Sequence, residues 1–124
     1  MKKGVEELET YQLAMDLGEM VWSIVLRLAK PAVSDNFIRA ADSVAYNISE
    51  GHGRYFFKEN RNFCWIARGS LSETKTAVEK CMRRNLITTI EHEALMGKII
   101  VCYPKLNNYI AYIERMIATQ SKTN

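Results

Sequence analysis

The chain has 124 residues, 48% hydrophobic and 25% charged, which is typical of one globular domain with a substantial core. Six glycines and two prolines are too few for the many turns of an all-β fold. The formal net charge is only +3, and no apolar run reaches the ~18 residues that a membrane span needs. The opening segment "MKKGVEELET" lacks the apolar stretch of a signal peptide, so we expect a cytoplasmic protein without membrane contact.

The first predicted helix runs from about residue 5 to residue 29 and ends before Pro31. Its second half, "MVWSIVLRLA", is apolar on nearly every side, which predicts burial of more than one face. A seam with alternating steps of three and four residues marks the inner face: Leu8, Tyr11, Met15, Gly18, Trp22, Val25 and Ala29.

The second predicted helix covers about residues 35–50 and has one apolar face. Gly51 and Gly53 follow, and we expect them to end the helix in the left-handed conformation that glycine tolerates. The segment "GHGR" has no preceding strand and no nucleotide-binding glycine motif, so we interpret it as a turn rather than a phosphate loop. Glu50 and Arg54 are predicted to form a polar pair at this end of the bundle.

The third predicted helix spans about residues 57–85. Gly69 lies near its middle, where glycine costs ~1 kcal/mol relative to alanine, so we expect a neighbouring helix to approach closely there. The inner seam of this helix is Phe63, Ala67, Ser70, Thr74, Ala77 and Cys81.

The fourth predicted helix spans about residues 89–119 and begins with a capping box formed by Thr88 and Glu91. Pro104 lies within it, and we expect a kink there. Two apolar lines run along this helix, although one line is enough for the core of a monomer. The second line predicts a contact with another copy of the chain, the alternative being a thicker bundle core. The predicted oligomer interface is Met96, Tyr103, Ile110 and Ile117.

Short connections join the four predicted helices, so consecutive helices should lie antiparallel. No internal repeat or low-complexity segment interrupts them. The predicted fold is therefore all-α, an up-down-up-down antiparallel four-helix bundle that forms a single domain over residues 1–124.

Cysteine and histidine usage gives no indication of a metal site. Cys64, Cys81 and Cys102 are widely spaced and odd in number, and the only histidines are His52 and His92. We therefore expect buried, reduced thiols and neither disulfides nor a zinc site. No paired acid and base or metal carboxylate cluster supports catalysis, so we predict no enzyme activity, catalytic residue, metal or cofactor. A nuclease remains only a third hypothesis.

Positive charge is concentrated in residues 51–84, which carry eight Lys or Arg and three Asp or Glu. On the third helix these basic residues follow one outward line, with Trp65 in its middle. Such a line suits the phosphates of a nucleic acid, and an outward Trp can stack on an unpaired base or anchor a subunit contact. The alternative is a solvated helix face with pairs such as Lys75–Glu79. The predicted nucleic-acid-binding residues are Arg54, Lys58, Arg61, Trp65, Arg68 and Lys75.

Two blocks, "RAADSVAYNISEGHGRYFFKEN" and "CWIARGSLSE", resemble a family of small four-helix-bundle proteins encoded in intervening sequences of bacterial 23S ribosomal RNA genes. Some members are labelled ribosomal proteins, and the accessory variability proteins of diversity-generating retroelements are similar. This chain departs from the family pattern at Tyr11, at Ile38 and at Phe56, which replaces a capping Ser or Thr. The lost cap predicts a packed rather than a hydrogen-bonded start to the third helix at Phe56. The matching polar and turn residues include Arg39, Asn47, Glu50, Gly51, Gly53, Gly69, Ser70 and Glu73.

The resemblance implies a bundle that assembles into a homo-oligomer, with a pentamer expected, and no known enzyme activity. In the retroelement relatives it implies basic surfaces that engage nucleic acid. Our first hypothesis is a non-enzymatic homo-oligomer that binds nucleic acid, RNA before DNA, through the basic face of the third helix. The alternative is a structural or adaptor oligomer whose main partner is a protein.

Overall fold

The computed structural model describes the backbone of residues 4–123 and the side chains of residues 4–120. These residues form four α-helices, no strand, and one 3₁₀ turn at Val5–Glu7. None of the described helices is long and apolar enough to cross a membrane. The helices are α1 (Glu9–Leu28), α2 (Pro31–His52), α3 (Phe57–Arg83) and α4 (Thr89–Thr123).

The four helices form an antiparallel bundle. Each helix packs against its neighbours in sequence, and α1 also packs against α4, whereas the diagonal pairs have no Cα atoms within 8 Å of each other among the described residues. Arg27, near the end of α1, lies 2.6 Å from Glu91 near the start of α4. Glu9, at the start of α1, lies 3.1 Å from Lys105, farther along α4. The predicted up-down-up-down four-helix bundle is therefore confirmed.

The core lies along the bundle axis and receives residues from all four helices. Their spacing of three and four residues places one stripe of each helix inward. In α1 this stripe includes Ala14, Leu17 and Val21, whereas Met15 and Trp22 are 43% and 48% exposed, so the predicted seam of α1 is wrong at those two positions. Full burial of an aliphatic or aromatic side chain of this size contributes about 1.5–3 kcal/mol relative to exposure. The largest fully buried hydrophobic side chains are Leu17, Val21, Phe37, Val44, Ile48, Leu71, Val78, Leu95, Ile99, Leu106 and Ile113.

The connection between α1 and α2 is shorter than the sequence indicated. α1 ends at Leu28, and Ala29 adopts the left-handed conformation with φ 51°. α2 begins at Pro31 rather than near residue 35. Proline is favoured at the first helical position, because its missing N–H would have no intrahelical partner there. Pro31 is therefore the first residue of α2, and only Ala29 and Lys30 connect it to α1.

Gly51 is required for space rather than for backbone conformation. No described glycine has a positive φ, and both Gly51 and Gly53 have ordinary backbone geometry, so the predicted left-handed helix ends are wrong. Gly51 is buried within α2, and a Cβ there would lie 2.7 Å from Asn60 Oδ1 and 3.0 Å from the Asn60 carbonyl oxygen. Gly69 is the opposite case: a Cβ there meets nothing within 4 Å, so the predicted close approach at this glycine is wrong.

Polar side chains link α2 to α3. Ser70 Oγ donates a hydrogen bond to Ser43 Oγ at 3.0 Å, and Asn47 Nδ2 donates to the same hydroxyl at 2.9 Å. The Asn47 amide also reaches the Ser43 carbonyl at 2.7 Å. Buried polar groups are costly unless they are paired, so this set specifies how the two helices sit against each other.

Asn60 joins α3 to α4 in the same layer as Gly51. Its Nδ2 donates to the Tyr109 hydroxyl at 3.1 Å, and its Oδ1 lies 3.5 Å from Cys64 Sγ. Burial raises the pKa of Tyr109 to about 12, so the phenol stays protonated at neutral pH. The sequence pattern identified neither Asn60 nor Tyr109 as a polar contact.

The three cysteines are buried and free, as expected. Burial raises the pKa of Cys64 to about 12 and that of Cys102 to about 11. The pKa of Cys81 is also raised by burial, which the nearby Arg84 partly opposes. These groups are therefore neutral thiols that pack in the core.

The capping box at the start of α4 is confirmed. The Thr88 amide donates to Glu91 Oε1 at 2.8 Å, and the Glu91 amide donates to Thr88 Oγ1 at 3.1 Å. The hydrogen bond from the Thr88 backbone lowers the pKa of Glu91, and the Arg27 guanidinium lowers it further, although burial opposes them. Glu91 thus caps one helix and pairs with another.

Substituting two glycines by alanine should have opposite effects on stability. Gly51→Ala should lower the free energy of unfolding by about 1–3 kcal/mol, because its methyl group would lie 2.7 Å from Asn60 Oδ1 and 2.8 Å from Phe63 Cβ. Gly69→Ala should raise that free energy by about 0.5–1 kcal/mol, because alanine is the better helix former and space is free. Urea unfolding of both variants measures the difference. A Gly51→Ala protein as stable as the parent would contradict the close packing of α2 on α3.

The capping box should make stability depend on acid pH. Because the folded pKa of Glu91 lies below its ordinary value of 4.5, its contribution is present above that value. The contribution is lost as pH falls through the folded pKa. Glu91→Ala should therefore lower the free energy of unfolding by about 1 kcal/mol at pH 7 and by less in strong acid. Glu93→Ala, at an exposed position in the same turn, is the control.

Candidate nucleic-acid interface

Arg54, in the turn before α3, makes the pair that the sequence predicted. Its Nη2 donates to Glu50 Oε1 at 2.8 Å, and its guanidinium lies 4.9 Å from the centre of the Phe63 ring. Both charged side chains are exposed, so the pair contributes little to stability. Its effect is to hold the guanidinium beside the ring.

Arg61 and Trp65 stack on one another one turn apart in α3. The guanidinium carbon of Arg61 lies 4.6 Å from the centre of the Trp65 ring. Trp65 remains 42% exposed, so its indole is at the surface, as predicted. The Arg61 Nε is buried and has no hydrogen-bond partner among the described residues. This pair places a planar cation on an aromatic ring near the middle of α3.

The Arg68 side chain reaches from α3 to α4. Its Nη1 donates to Asn107 Oδ1 on α4 at 3.1 Å, and the residue is half-buried. One turn later, the Ser72 and Tyr103 hydroxyls are 2.6 Å apart. The basic side chains of α3 therefore lie beside α4, and they do not project directly away from the bundle. Because an amide is neutral, it leaves the charge of Arg68 uncompensated.

Lys58 and Lys75 are exposed, and neither makes an ion pair with a described residue. The alternative pair of Lys75 with Glu79 does not form, because Glu79 Oε1 lies 2.8 Å from His92 Nε2 instead.

Arg54 does not share the α4 side of α3 with Arg68, because it bonds Glu50 of α2 and lies over Phe63, which packs against Gly51 of α2. The prediction that Arg54 continues the outward line of α3 is therefore wrong. We call the remaining predicted residues the basic face: Lys58, Arg61, Trp65, Arg68 and Lys75. Within the described part of the chain, none of its cations has an acidic partner.

Two features extend the basic face beyond the sequence prediction. A shallow depression between α3 and α4 is lined by Lys75, Lys80 and Arg83, together with Glu79, whose carboxylate bonds His92. Before α3, Tyr55 is 90% exposed and Phe56 is 60% exposed, with ring centres 4.9 Å apart in an edge-to-face arrangement. The sequence placed Phe56 as the packed start of the helix, but it has no side-chain cap and is exposed. The next residue, Phe57, packs against the core instead.

The second apolar line of α4 faces the bundle more than the solvent. Ile110 is only 4% exposed and belongs to the core, so it has too little surface for a contact with another copy. Met96, Tyr103 and Ile117 are half-buried against the same core, and their place at an interface remains a prediction. The exposed apolar residues of this helix lie elsewhere: Ile90, Ile100, Val101 and Tyr112.

A groove between α1 and α2 combines acidic and apolar side chains. Met15 and Tyr46 line it and are 43% and 73% exposed. Glu19 and Asp42 lie in the same groove, where burial and the negative charge of Glu19 raise the pKa of Asp42. A Cβ at Gly18 would lie 2.8 Å from Asp42 Oδ1, so the carboxylate rests over this glycine. No described residue pairs with Asp42.

The motif residues divide by location. Asn47, Gly51 and Ser70 lie where α2 meets α3. Arg39 and Glu73 are exposed. Some motif residues therefore serve the packing of α2 on α3. Separately, the described residues contain no group of three or more potential metal ligands.

The comparisons with known proteins agree with this fold. Residues 6–108 match the sequence profile of a family described as 23S rRNA-intervening sequence protein. A similar solved structure is a protein of unknown function from the S23 ribosomal protein family of Bacteroides thetaiotaomicron VPI-5482, with a TM-score of 0.76. At 18% identity, covering 82% of this chain and 97% of that one, it shows a shared fold. No curated protein matches. Because the profile spans most of the sequence, this chain belongs to the 23S rRNA-intervening sequence protein family.

Proposed function

We propose that this protein is a non-enzymatic, nucleic-acid-binding protein that contacts RNA through the basic face. The observation that carries the proposal is a row of cations without acidic partners. Lys58 and Lys75 are 17 residues apart, which is about 25 Å along an α-helix. A phosphate backbone supplies the matching negative charge over such a length.

The surroundings of the basic face also favour a polyanion over a protein carboxylate. Arg68 bonds a neutral amide, and Arg61 lies on an aromatic ring, so both cations are held in place without losing charge. The description of the family refers to an intervening sequence of 23S rRNA, which favours RNA over DNA as the partner. A cytoplasmic location and a relation to the accessory proteins of diversity-generating retroelements are parts of the same proposal.

The proposal includes a homo-oligomer, with a pentamer as the expected form. It is supported by exposed apolar residues on the outer side of α4, where Ile100 is 64% exposed, Val101 46% and Tyr112 45%. Exposed apolar residues grouped on one side of a helix favour contact with another chain. Assembly would repeat the basic face around a symmetry axis and increase the local positive potential.

The second candidate is an adaptor whose main partner is a protein, and the groove between α1 and α2 favours it. Asp42 has a raised pKa and no described partner, and Trp22 and Leu26 extend the exposed apolar surface of α1. Such a groove suits a segment that carries a cation among apolar side chains. A nuclease-resistant pull-down of one protein that is lost in Asp42→Lys would favour this candidate over RNA binding.

Removing three cations from the basic face should weaken RNA binding and its salt dependence. In electrophoretic-shift titrations, the Arg61→Ala, Arg68→Ala and Lys75→Ala triple variant should bind more weakly at low salt. For single-stranded RNA, the slope of log affinity against log salt should become shallower by about 2, since each lost phosphate contact removes about 0.7.

The matched control removes the same charge elsewhere. Lys30, Arg39 and Arg115 are exposed and lie outside the basic face, so their triple alanine variant should keep most of the affinity. Equal losses in the two triple variants would mean that net charge, and not this face, attracts RNA. No binding at low salt would rule out the proposed function.

Light scattering tests the oligomer. The parent protein should have a mass several times that of one chain at micromolar concentration. Ile100→Glu with Val101→Glu should lower that mass, because the charges would enter an apolar contact. Ile66→Glu, at an exposed apolar position of α3, is the control. A monomeric parent protein would contradict the homo-oligomer.

A further inference from the structure

We infer that the basic face selects unpaired RNA over duplex RNA, and that Tyr55 and Phe56, which we call the aromatic tip, provide the selection by stacking on bases. This inference rests on the proposed function and narrows the class of RNA. It predicts stacking between nucleobases and aromatic rings, which positive charge alone does not provide.

The aromatic tip contributes little to the fold. Tyr55 is 90% exposed and Phe56 is 60% exposed, so most of both rings is in contact with water. Neither ring belongs to the core, which instead receives the neighbouring Phe57. The two rings are 4.9 Å apart and meet edge to face, which fixes their relative orientation at 84°. An edge-to-face pair leaves ring faces open, and an open ring face is what a nucleobase stacks on.

Two arginine–aromatic pairs lie close to the tip in sequence. Arg54 precedes Tyr55 and lies over Phe63, on the side of α3 that packs against α2, whereas Arg61 lies over Trp65 farther along α3. A guanidinium plane can stack on an unpaired base as an aromatic ring does, and it also attracts the adjacent phosphate. Lys58, in the first turn of α3, adds an exposed cation between these pairs. The aromatic tip thus lies between Arg54 and Lys58 in the sequence, with a cation on each side, whereas Arg68 and Lys75 supply charge alone.

Exposed rings flanked by cations fit a single strand better than a duplex. In a duplex the base faces are stacked on each other, and the deep major groove of A-form RNA does not admit side chains. A duplex can therefore use the cations of the basic face but not the aromatic tip. A single strand can use both, because its bases turn outward while its phosphates follow the cations.

Fluorescence anisotropy with two probes tests the inference at fixed low salt. The probes are an unstructured RNA strand of about 12 nucleotides, within the usual site sizes, and the duplex that it forms with its complement. Tyr55→Ala with Phe56→Ala should weaken binding of the single strand by roughly 5- to 140-fold per stacked base. Binding of the duplex should change less than about threefold.

Matched variants separate stacking from other effects. Tyr55→Leu with Phe56→Leu keeps apolar side chains but removes the rings, so it should weaken single-strand binding as the alanine pair does. Tyr46→Ala removes an exposed ring from α2 and should change neither affinity. All substituted residues are exposed, and circular dichroism confirms that each variant is folded.

The outcomes distinguish this inference from the proposed function. Loss of single-strand binding in both tip variants, with the duplex unaffected, supports the inference. If the basic-face triple variant loses RNA but the tip variants bind both probes like the parent, RNA binding stands and selection by the tip is wrong. Equal losses for strand and duplex would also overturn it. If the parent binds neither probe, the proposed function itself fails.

Discussion

The close packing of α2 on α3 is the contact on which the arrangement of this protein depends. At Gly51 the absence of a side chain lets Asn60 and Phe63 approach the α2 backbone. Asn60 then turns inward and bonds Tyr109 of α4, so one layer connects three helices. The polar set around Ser43 repeats the link between α2 and α3 farther along the bundle. Shape and hydrogen bonding together leave little freedom for α3 to rotate about its own axis.

That rotation decides which residues reach the solvent. With Asn60, Cys64 and Ala67 buried, the positions one residue later appear at the edge that α3 shares with α4. Arg61, Trp65 and Arg68 occupy these positions, so Arg68 reaches the Asn107 amide of α4, while Arg61 stacks on Trp65 within α3 itself. The orientation of the basic face therefore follows from a glycine and an asparagine that carry no charge.

The distribution of ion pairs keeps the basic face positive. Two acidic residues of α1 pair with lysines of α4, Asp16 with Lys98 and Glu9 with Lys105. The Glu79 carboxylate of α3 bonds His92. These three carboxylates are thus engaged with partners outside the basic face. Exposed pairs of this kind contribute little to stability, so their main effect here is on where the unbalanced charge remains.

The periodicity of apolar residues was sufficient to predict much of the fold, but it did not predict which side chains are exposed at the surface. The four helices, the cap at Thr88 and the buried cysteines were predictable, because each depends on residues within a few turns of one helix. The inner seam of α1 was wrong at Met15 and Trp22, because this helix is apolar on nearly every side and periodicity alone did not select the buried side. The concentration of cations in the middle of the chain was also readable from the sequence. The roles predicted for Gly51 and Gly69 were wrong. The steric constraint at Gly51 comes from residues of α3, so the residues next to Gly51 in the sequence do not reveal it.

The sequence by itself determined the helices, the antiparallel bundle and the presence of a basic line on α3. Only the tertiary structure decided that Ile110 lies in the core, that Tyr55 and Phe56 are exposed, and that Arg68 reaches α4. The physical reason is that periodicity defines a stripe on a helix but not how far a neighbouring helix covers it. That coverage depends on the distance and rotation between helices, which side-chain packing sets only once all four are assembled.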